Sequence, residues 1–394
     1  MGVRRSESAS IFAWGPHQTN FQTEVAPSSS PKNYRFLTKD GYAKAKFASG
    51  SIDNAGQSTG SSLPDKTYKD RDETTFQADE QLTFQRLGML AFDSFGVVNT
   101  TPIVVSTVTV AHKQIFSLID PQVASTLPSR PLAQKIGGDQ AIAANVIHDA
   151  RMTSMTVESF SITDGGNLPN LQASTSYRGS GQMYENLAAV PPLTPSGVQF
   201  YGTGRHVFNR SELDAEKDIN KRGGIASIYL VEAFAGAPID TECIVRGFNL
   251  TVNNNLNVEG GYAGCGLFQD GDSTKGAIAG SLDSNGQTVS FELTIVADSD
   301  VMQDFDLTNR IKTGAPFSLK MAYQGPNIGA TATPFLAEFK LNKATITDYE
   351  WVGLEGGTQG LRLVTAPLAV GNLLPLSLEL TSNVESFASY IAPA

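Results

Sequence analysis

The residue types that could do chemistry are few in this chain and badly spaced for it. Its four histidines are His17, His112, His148 and His206, and no two stand at the spacing that puts two imidazoles on one helix face around a metal. Only His148 has an adjacent carboxylate, Asp149, and neighbours on a strand point to opposite faces. His112 follows the apolar run 104–110, the setting of a structural histidine. Gly179-Ser180-Gly181 is too short for a G-x-S-x-G nucleophile elbow and reads as a turn. Gly202-Thr203-Gly204 lacks the lysine and the βαβ context of a phosphate loop. Asp270 and Asp272 resemble only the opening of a calcium loop, without its terminal Glu. The pairs Asp298/Asp300 and Asp304/Asp306 sit at a helix start, where carboxylates stabilise orphan N–H groups without any catalysis. Cys243 and Cys265 are too few for a disulfide framework, and two thiols are favoured over a bridge. These patterns imply no enzyme, no cofactor and no metal.

Composition narrows the class further. The chain carries 29 Lys+Arg against 39 Asp+Glu, a net charge of -10, and only 17% of its residues are charged, against roughly 25% in an average soluble domain. Apolar content is 40%, so the missing charge is replaced by Ser, Thr, Asn, Gln and Gly. That argues against disorder, a charged helical bundle, and a basic surface able to neutralise phosphates. The opening Met-Gly-Val-Arg-Arg has no apolar run after it, so no signal peptide is expected. No apolar window is long enough to predict a membrane span.

The elements are mostly strands. In residues 288–296, Val289, Phe291, Leu293 and Ile295 alternate with Ser290, Glu292 and Thr294, the period of a half-buried strand. Phe317 to Tyr323, Phe335 to Leu341, Phe248 to Val252 and Leu374 to Leu380 alternate likewise, with Pro375 confined to a strand start or edge. Helices are expected over 86–95, ended by Gly96, and over 299–313, capped by Ser299-Asp300 and ended by Gly314. A third, polar helix is expected over 211–222. Residues 49–66, SGSIDNAGQSTGSSLPDK, form the most loop-like stretch, and 66–73 a solvated charge patch. Strand, short helix, Gly, more strands and a Gly-Gly turn occur twice, once from Thr75 and once from Thr288, which reads as a diverged duplication.

The order of these features points to a family. Asn20-Phe-Gln-Thr-Glu-Val-Ala-Pro27 precedes the Gly/Ser loop, then come a strand and a helix ending in Gly. Val110-Ala-His-Lys-Gln-Ile-Phe116 leads to Leu127-Pro128, and 150–163 leads through Gly165-Gly166 to Tyr177-Arg-Gly-Ser-Gly181. The second half opens on Val245-Arg-Gly-Phe-Asn-Leu-Thr-Val-Asn-Asn-Asn-Leu256. In this order the chain resembles the major tail tube proteins of long-tailed, non-contractile (siphovirus-type) bacteriophages over most of residues 20–385, with 182–240 fitting least.

The resemblance implies a mainly β fold, an antiparallel β-sandwich that forms barrels with its neighbours, with a few short helices and two related halves. Residues 1–75 would be an N-terminal arm and long loop, 76–181 the first tube-type half, 182–240 an insertion or linker, and 241–394 the second half. It implies a virion protein, made in the host bacterial cytoplasm, whose partner is itself. Rings would stack into the conduit for DNA ejection, three two-unit chains with pseudo-sixfold symmetry being favoured over six. Tape measure and terminator proteins would be its other partners, DNA would pass without specific binding, and no membrane is involved. Within that frame Gly50, Asp53, Asn54 and Gly60 are candidates for inter-ring contact. Arg151 and Arg246 are candidates for pairs between subunits, and Ser290, Glu292 and Thr294 for the lumen wall. The alternatives are a tail terminator or capsid decoration protein, or a monomeric β-sandwich glycan-binding module. A glycan binder would expose aromatics, whereas Trp351, in an alternating strand with Tyr349, reads as part of a packed sheet.

Overall fold

The computed structural model of the chain describes residues 11–15, 17–18, 35–36, 42–53, 67–119, 127–136, 143–160, 170–181, 183–185, 225–238, 245–265, 267–268, 277–297, 306–354, 357, 359–369 and 375–387. Antiparallel strands dominate. The first run comprises β1 (Ile11–Trp14), β2 (Arg35–Phe36), β3 (Tyr42–Asp53), β4 (Thr67–Gln81), helix α1 (Phe84–Phe95), β5 (Val97–Val105), β6 (Val108–Ser117), β7 (Ser129–Ile136), β8 (Ala143–Phe160), β9 (Asn170–Gly179) and β10 (Met183–Glu185). The second comprises β11 (Ile225–Tyr229), β12 (Val245–Asn253), helix α2 (Val258–Cys265), β13 (Leu267–Phe268), β14 (Ala277–Ile278), β15 (Thr288–Val296), helix α3 (Leu307–Thr313), β16 (Phe317–Asn327), β17 (Pro334–Gly353), β18 (Gln359–Pro367) and β19 (Leu376–Ser382).

The two runs share one pairing scheme. β1 pairs with β7 as β11 pairs with β16, and β3 with β4 as β12 with β15. β4 pairs with β9 as β15 with β18, and β7 with β8 as β16 with β17. β8 pairs with β9 and β10 as β17 pairs with β18 and β19. β8 and β17 are 18 and 20 residues long, several times an ordinary strand of about five or six. Each changes neighbours along its length, its first half lying between two strands and its second half running beside β9 in β8 and beside β18 in β17. The hairpin β5–β6 belongs to the first run alone, and β6 pairs with β19. A second seam joins the units where 154–158 of β8 pair with 249–253 of β12.

Alternation places the core where the sequence predicts it. Phe291, Leu293, Ile295, Phe317, Leu319, Met321, Tyr323, Phe335, Phe339, Leu378 and Leu380 are all buried, and Pro375 stands just before β19. Helix α1 is buried along nearly its whole length and packs against β8, β19 and β6. Thr83 caps it by accepting from the Arg86 N–H at 3.1 Å, and Gly96, at φ 84°, ends it. Gly314 ends α3 in the same way, at φ 63°.

Some expectations shift. The helix expected over 299–313 is described as Leu307–Thr313, and its Ser299-Asp300 cap and the 211–222 helix lie outside the described residues. The loop-like stretch from 49 is strand as far as Asp53, because it pairs with the rising arm of β4. The charge patch 66–73 runs into β4, where Asp72 is buried. Residues 11–14, 42–53 and 225–229, read as arm and linker, pair with β7, β4 and β16. No helix among the described residues is long and apolar enough to cross a membrane.

Candidate functional site

Among the described residues no group of His, Cys, Asp and Glu could hold a metal ion. His17 is half-buried with its ring edge-on to Phe92 at 5.4 Å, and burial, with Arg130 nearby, lowers its pKa. His112 lies in β6 opposite Pro102 and Ser382. Asp149, the neighbour of His148, accepts from Gln18 Nε2 at 3.1 Å and from Ser180 Oγ at 3.2 Å, so it ties a turn to the core. Gly181 completes that turn at φ 101°, where a Cβ would stand 2.3 Å from the Asp72 carbonyl oxygen. Gly-Ser-Gly is therefore a tight structural turn. His206, Cys243, Gly202 to Gly204, Asp270, Asp272, Asp298, Asp300 and Asp304 lie outside the described residues.

Glu80 with Arg86 and Asp93 with Arg130 form buried ion pairs. Arg86 forks onto Glu80 at 2.5 and 2.7 Å and lies 3.9 Å over the Trp14 ring. Arg130 binds Asp93, whose other oxygen accepts from Tyr177 at 3.0 Å; burial, then Asp93, raises the Tyr177 pKa. Bidentate geometry in the first pair, and the added bonds from Tyr177 to Asp93 and from Arg130 to the Gly15 carbonyl in the second, offset the cost of removing these charges from water.

The sites proposed from sequence fall in three places. Ser290, Glu292 and Thr294 lie on the polar face of β15, away from the buried Phe291 and Leu293. That face continues across the seam between units, where Thr251 is opposite Ser290 and hydrogen bonds Thr156 at 3.0 Å. Glu292 accepts from Arg362 at 2.5 and 2.9 Å, and Arg362 also approaches Glu350 at 3.7 Å. Arg151 is 3% exposed and donates to the Leu282 carbonyl at 2.7 Å and Asp283 at 3.3 Å. These bonds tie β8 to the loop before β15. Arg246 marks the register shift between Val245 and Gly247 in β12, and β12 corresponds to β3, so the two arginines are not equivalent in the repeat. Gly50 and Asp53 are strand residues of β3; Asn54 and Gly60 lie outside the described residues.

Sequence reasoning missed two strand edges. β3 pairs with β4 alone, and residues 345–353 of β17 pair with β18 alone, so each has one edge unpaired among the described residues. Both edges carry exposed aromatics on the face that elsewhere is core. Phe47 is 41% exposed, Tyr349 40% and Trp351 53%. The expectation that Tyr349 and Trp351 sit in a packed sheet is thereby overturned. Their strand neighbours Leu363 and Leu361 are buried, but among the described residues no further strand covers the other side. An uncovered edge with large apolar side chains is a template for another strand. A second exposed apolar group, Val104, Val105 and Val108, tips the β5–β6 hairpin around Ser106 and Thr107.

No family model and no curated protein matches the chain. Among solved structures the chain is similar to the SPP1 tail tube, determined by solid-state NMR and cryo EM, over 43% of this chain and 84% of that one, at 10% identity and a TM-score of 0.25.

Proposed function

We propose that the chain is a structural subunit that assembles with copies of itself, and that it forms the tail tube of a long-tailed phage. One observation carries the reading: the duplicated unit is joined inside the chain by strand pairing, and the equivalent strands at its two ends are left open among the described residues. A head-to-tail contact of this kind generates a closed ring if the rotation closes, and closure removes the edges. Three copies of a two-unit chain give a ring with pseudo-sixfold symmetry. The polar face through Ser290, Glu292 and Thr294 lines the lumen in this reading. A net charge of -10 suits a wall that DNA slides past without binding. The subunit then acts in the virion and performs no catalysis. Negative-stain micrographs of the purified protein test it, with rings or tubes expected; a uniform monomer population at high concentration would overturn it.

One observation favours a second reading. The exposed Tyr349 and Trp351 are the aromatics a glycan-binding module would present. Saturable binding of oligosaccharides by a chain that stays monomeric would select it.

A further inference from the structure

We infer that β17 of one copy pairs antiparallel with β3 of the next in a single register, with Phe47 opposite Tyr349 and Lys46 opposite Glu350. The inference deepens the self-assembly reading and rests on it.

The register follows from the seam already present inside the chain. There Leu250 stands opposite Val157, Thr251 opposite Thr156, and Val252 opposite Met155. The shared pairing scheme converts each of these positions. Ala45 and Leu250 both pair with a buried Phe, Phe76 in β4 and Phe291 in β15. Phe76 and Phe291 in turn face Tyr177 of β9 and Thr365 of β18. Hence Ala45, Lys46 and Phe47 occupy the places of Leu250, Thr251 and Val252. In the same way Met152 pairs with Tyr177 and Ile346 with Thr365, and each pairing then skips one residue. Tyr349, Glu350 and Trp351 therefore occupy the places of Met155, Thr156 and Val157. Carrying the internal seam onto the open edges sets Ala45 against Trp351, Lys46 against Glu350 and Phe47 against Tyr349.

The skipped residues after Met152 and Ile346 fix these positions by backbone pairing, and the resulting side-chain pairs complement one another. A small residue of one edge, Ala45, meets the largest of the other, Trp351, and the second apolar pair is aromatic on aromatic, a favourable cross-strand combination. The pair between them has opposite charges. It falls on the polar face, where Glu350 already neighbours Arg362. A slip of one residue would place Lys46 against an aromatic and turn each apolar side chain to the wrong face. Three of the large apolar side chains left exposed, Phe47, Tyr349 and Trp351, would be covered together. The occupant that fits both edges at once is a second copy of this chain.

The test uses full-length protein in which Cys243 and Cys265 are replaced by serine. Separately tagged Phe47→Cys and Tyr349→Cys chains are mixed and mildly oxidised, and a disulfide between the two tags is expected. Phe47→Cys with Asp348→Cys, one residue out of register, should cross-link several-fold less. In parallel, Lys46→Glu should reduce assembly at least tenfold, and adding Glu350→Lys to the same chain should restore it. Rings without the cross-link and without charge rescue would overturn the register while leaving self-assembly standing. Wild-type protein that stays monomeric would overturn both.

Discussion

Thr153 and Thr347 are the same device in two places. Each is the extra residue of a β-bulge, in β8 between Met152 and Ser154 and in β17 between Ile346 and Asp348. Each hydroxyl donates to the carbonyl of the strand alongside, Ser176 at 2.9 Å and Val364 at 3.1 Å. A bulge bends its strand, and both bends fall where a long strand passes from one set of neighbours to another. A side-chain detail thus supports the duplication independently of the pairing scheme. Thr153→Val, which keeps the shape and removes the donor, should cost about 1 kcal/mol. The more exposed Thr347→Val should cost less. Urea titrations of the two variants check the order, and equal or reversed losses would count against a bond that matters more when covered.

The Glu80–Arg86 pair has both side chains sealed from water. Glu80→Ala leaves the guanidinium buried without its anion, which typically costs about 3–5 kcal/mol. The midpoint of urea unfolding should fall with the slope unchanged. A loss under about 1 kcal/mol, the range of an exposed pair, would mean that water reaches Arg86.

What the sequence revealed and what it hid have one physical origin. Period-two alternation reports which face of a strand is apolar, so Phe291, Leu293, Phe339 and Leu378 could be placed in the core by reading alone. It says nothing about what lies beside the strand. Tyr349 and Trp351 alternate just as Leu293 and Ile295 do, but among the described residues β15 has strands on both edges and residues 345–353 of β17 on one. Arg151 was legible as a charged residue in a strand. That the Leu282 carbonyl waits for it, 131 residues away, was not, since long-range partners leave no local signal.

Acid should weaken the fold in two steps. Burial lowers the His17 pKa, so as pH falls through the ordinary imidazole range the unfolded chain takes up a proton that the folded chain resists, and stability drops. Burial pushes the Glu379 carboxyl up, but the ammonium groups of Lys113 and Lys340, each paired with it at 2.6 Å, outweigh it and hold the group below its usual range. Its stabilisation is present above the ordinary carboxylate value and is lost as pH falls through the folded one. His17→Phe should flatten the first step and Glu379→Gln the second. Thermal melts across the acid range would show whether each variant removes its own step and spares the other.

Gly88 sits inside α1, where alanine would ordinarily add roughly 0.5–1 kcal/mol. Here a Cβ would stand 2.2 Å from Cζ of the Phe387 ring, which is itself 1% exposed. The clash outweighs the propensity gain, because Phe387 cannot shift without leaving Phe116, whose ring centre is 5.7 Å away. Gly88→Ala should lower the melting temperature. A rise would show that the segment after β19 is loosely held.

The chain has two tryptophans in opposite settings, which gives the assembly reading a spectroscopic test. Trp14 is 0% exposed and Trp351 53% exposed. If β3 of another copy covers Trp351, emission should shift to shorter wavelength as rings form, and quenching by iodide should fall. Trp351→Phe should abolish both changes, since Trp14 is already buried. Assembly with Trp351 still fully quenchable would place the contact elsewhere, with the apolar tip of the β5–β6 hairpin the next surface to examine. Protection of Trp351 by an oligosaccharide in monomeric protein would instead favour the glycan-binding reading, because the same ring cannot serve a sugar and a neighbouring strand at once.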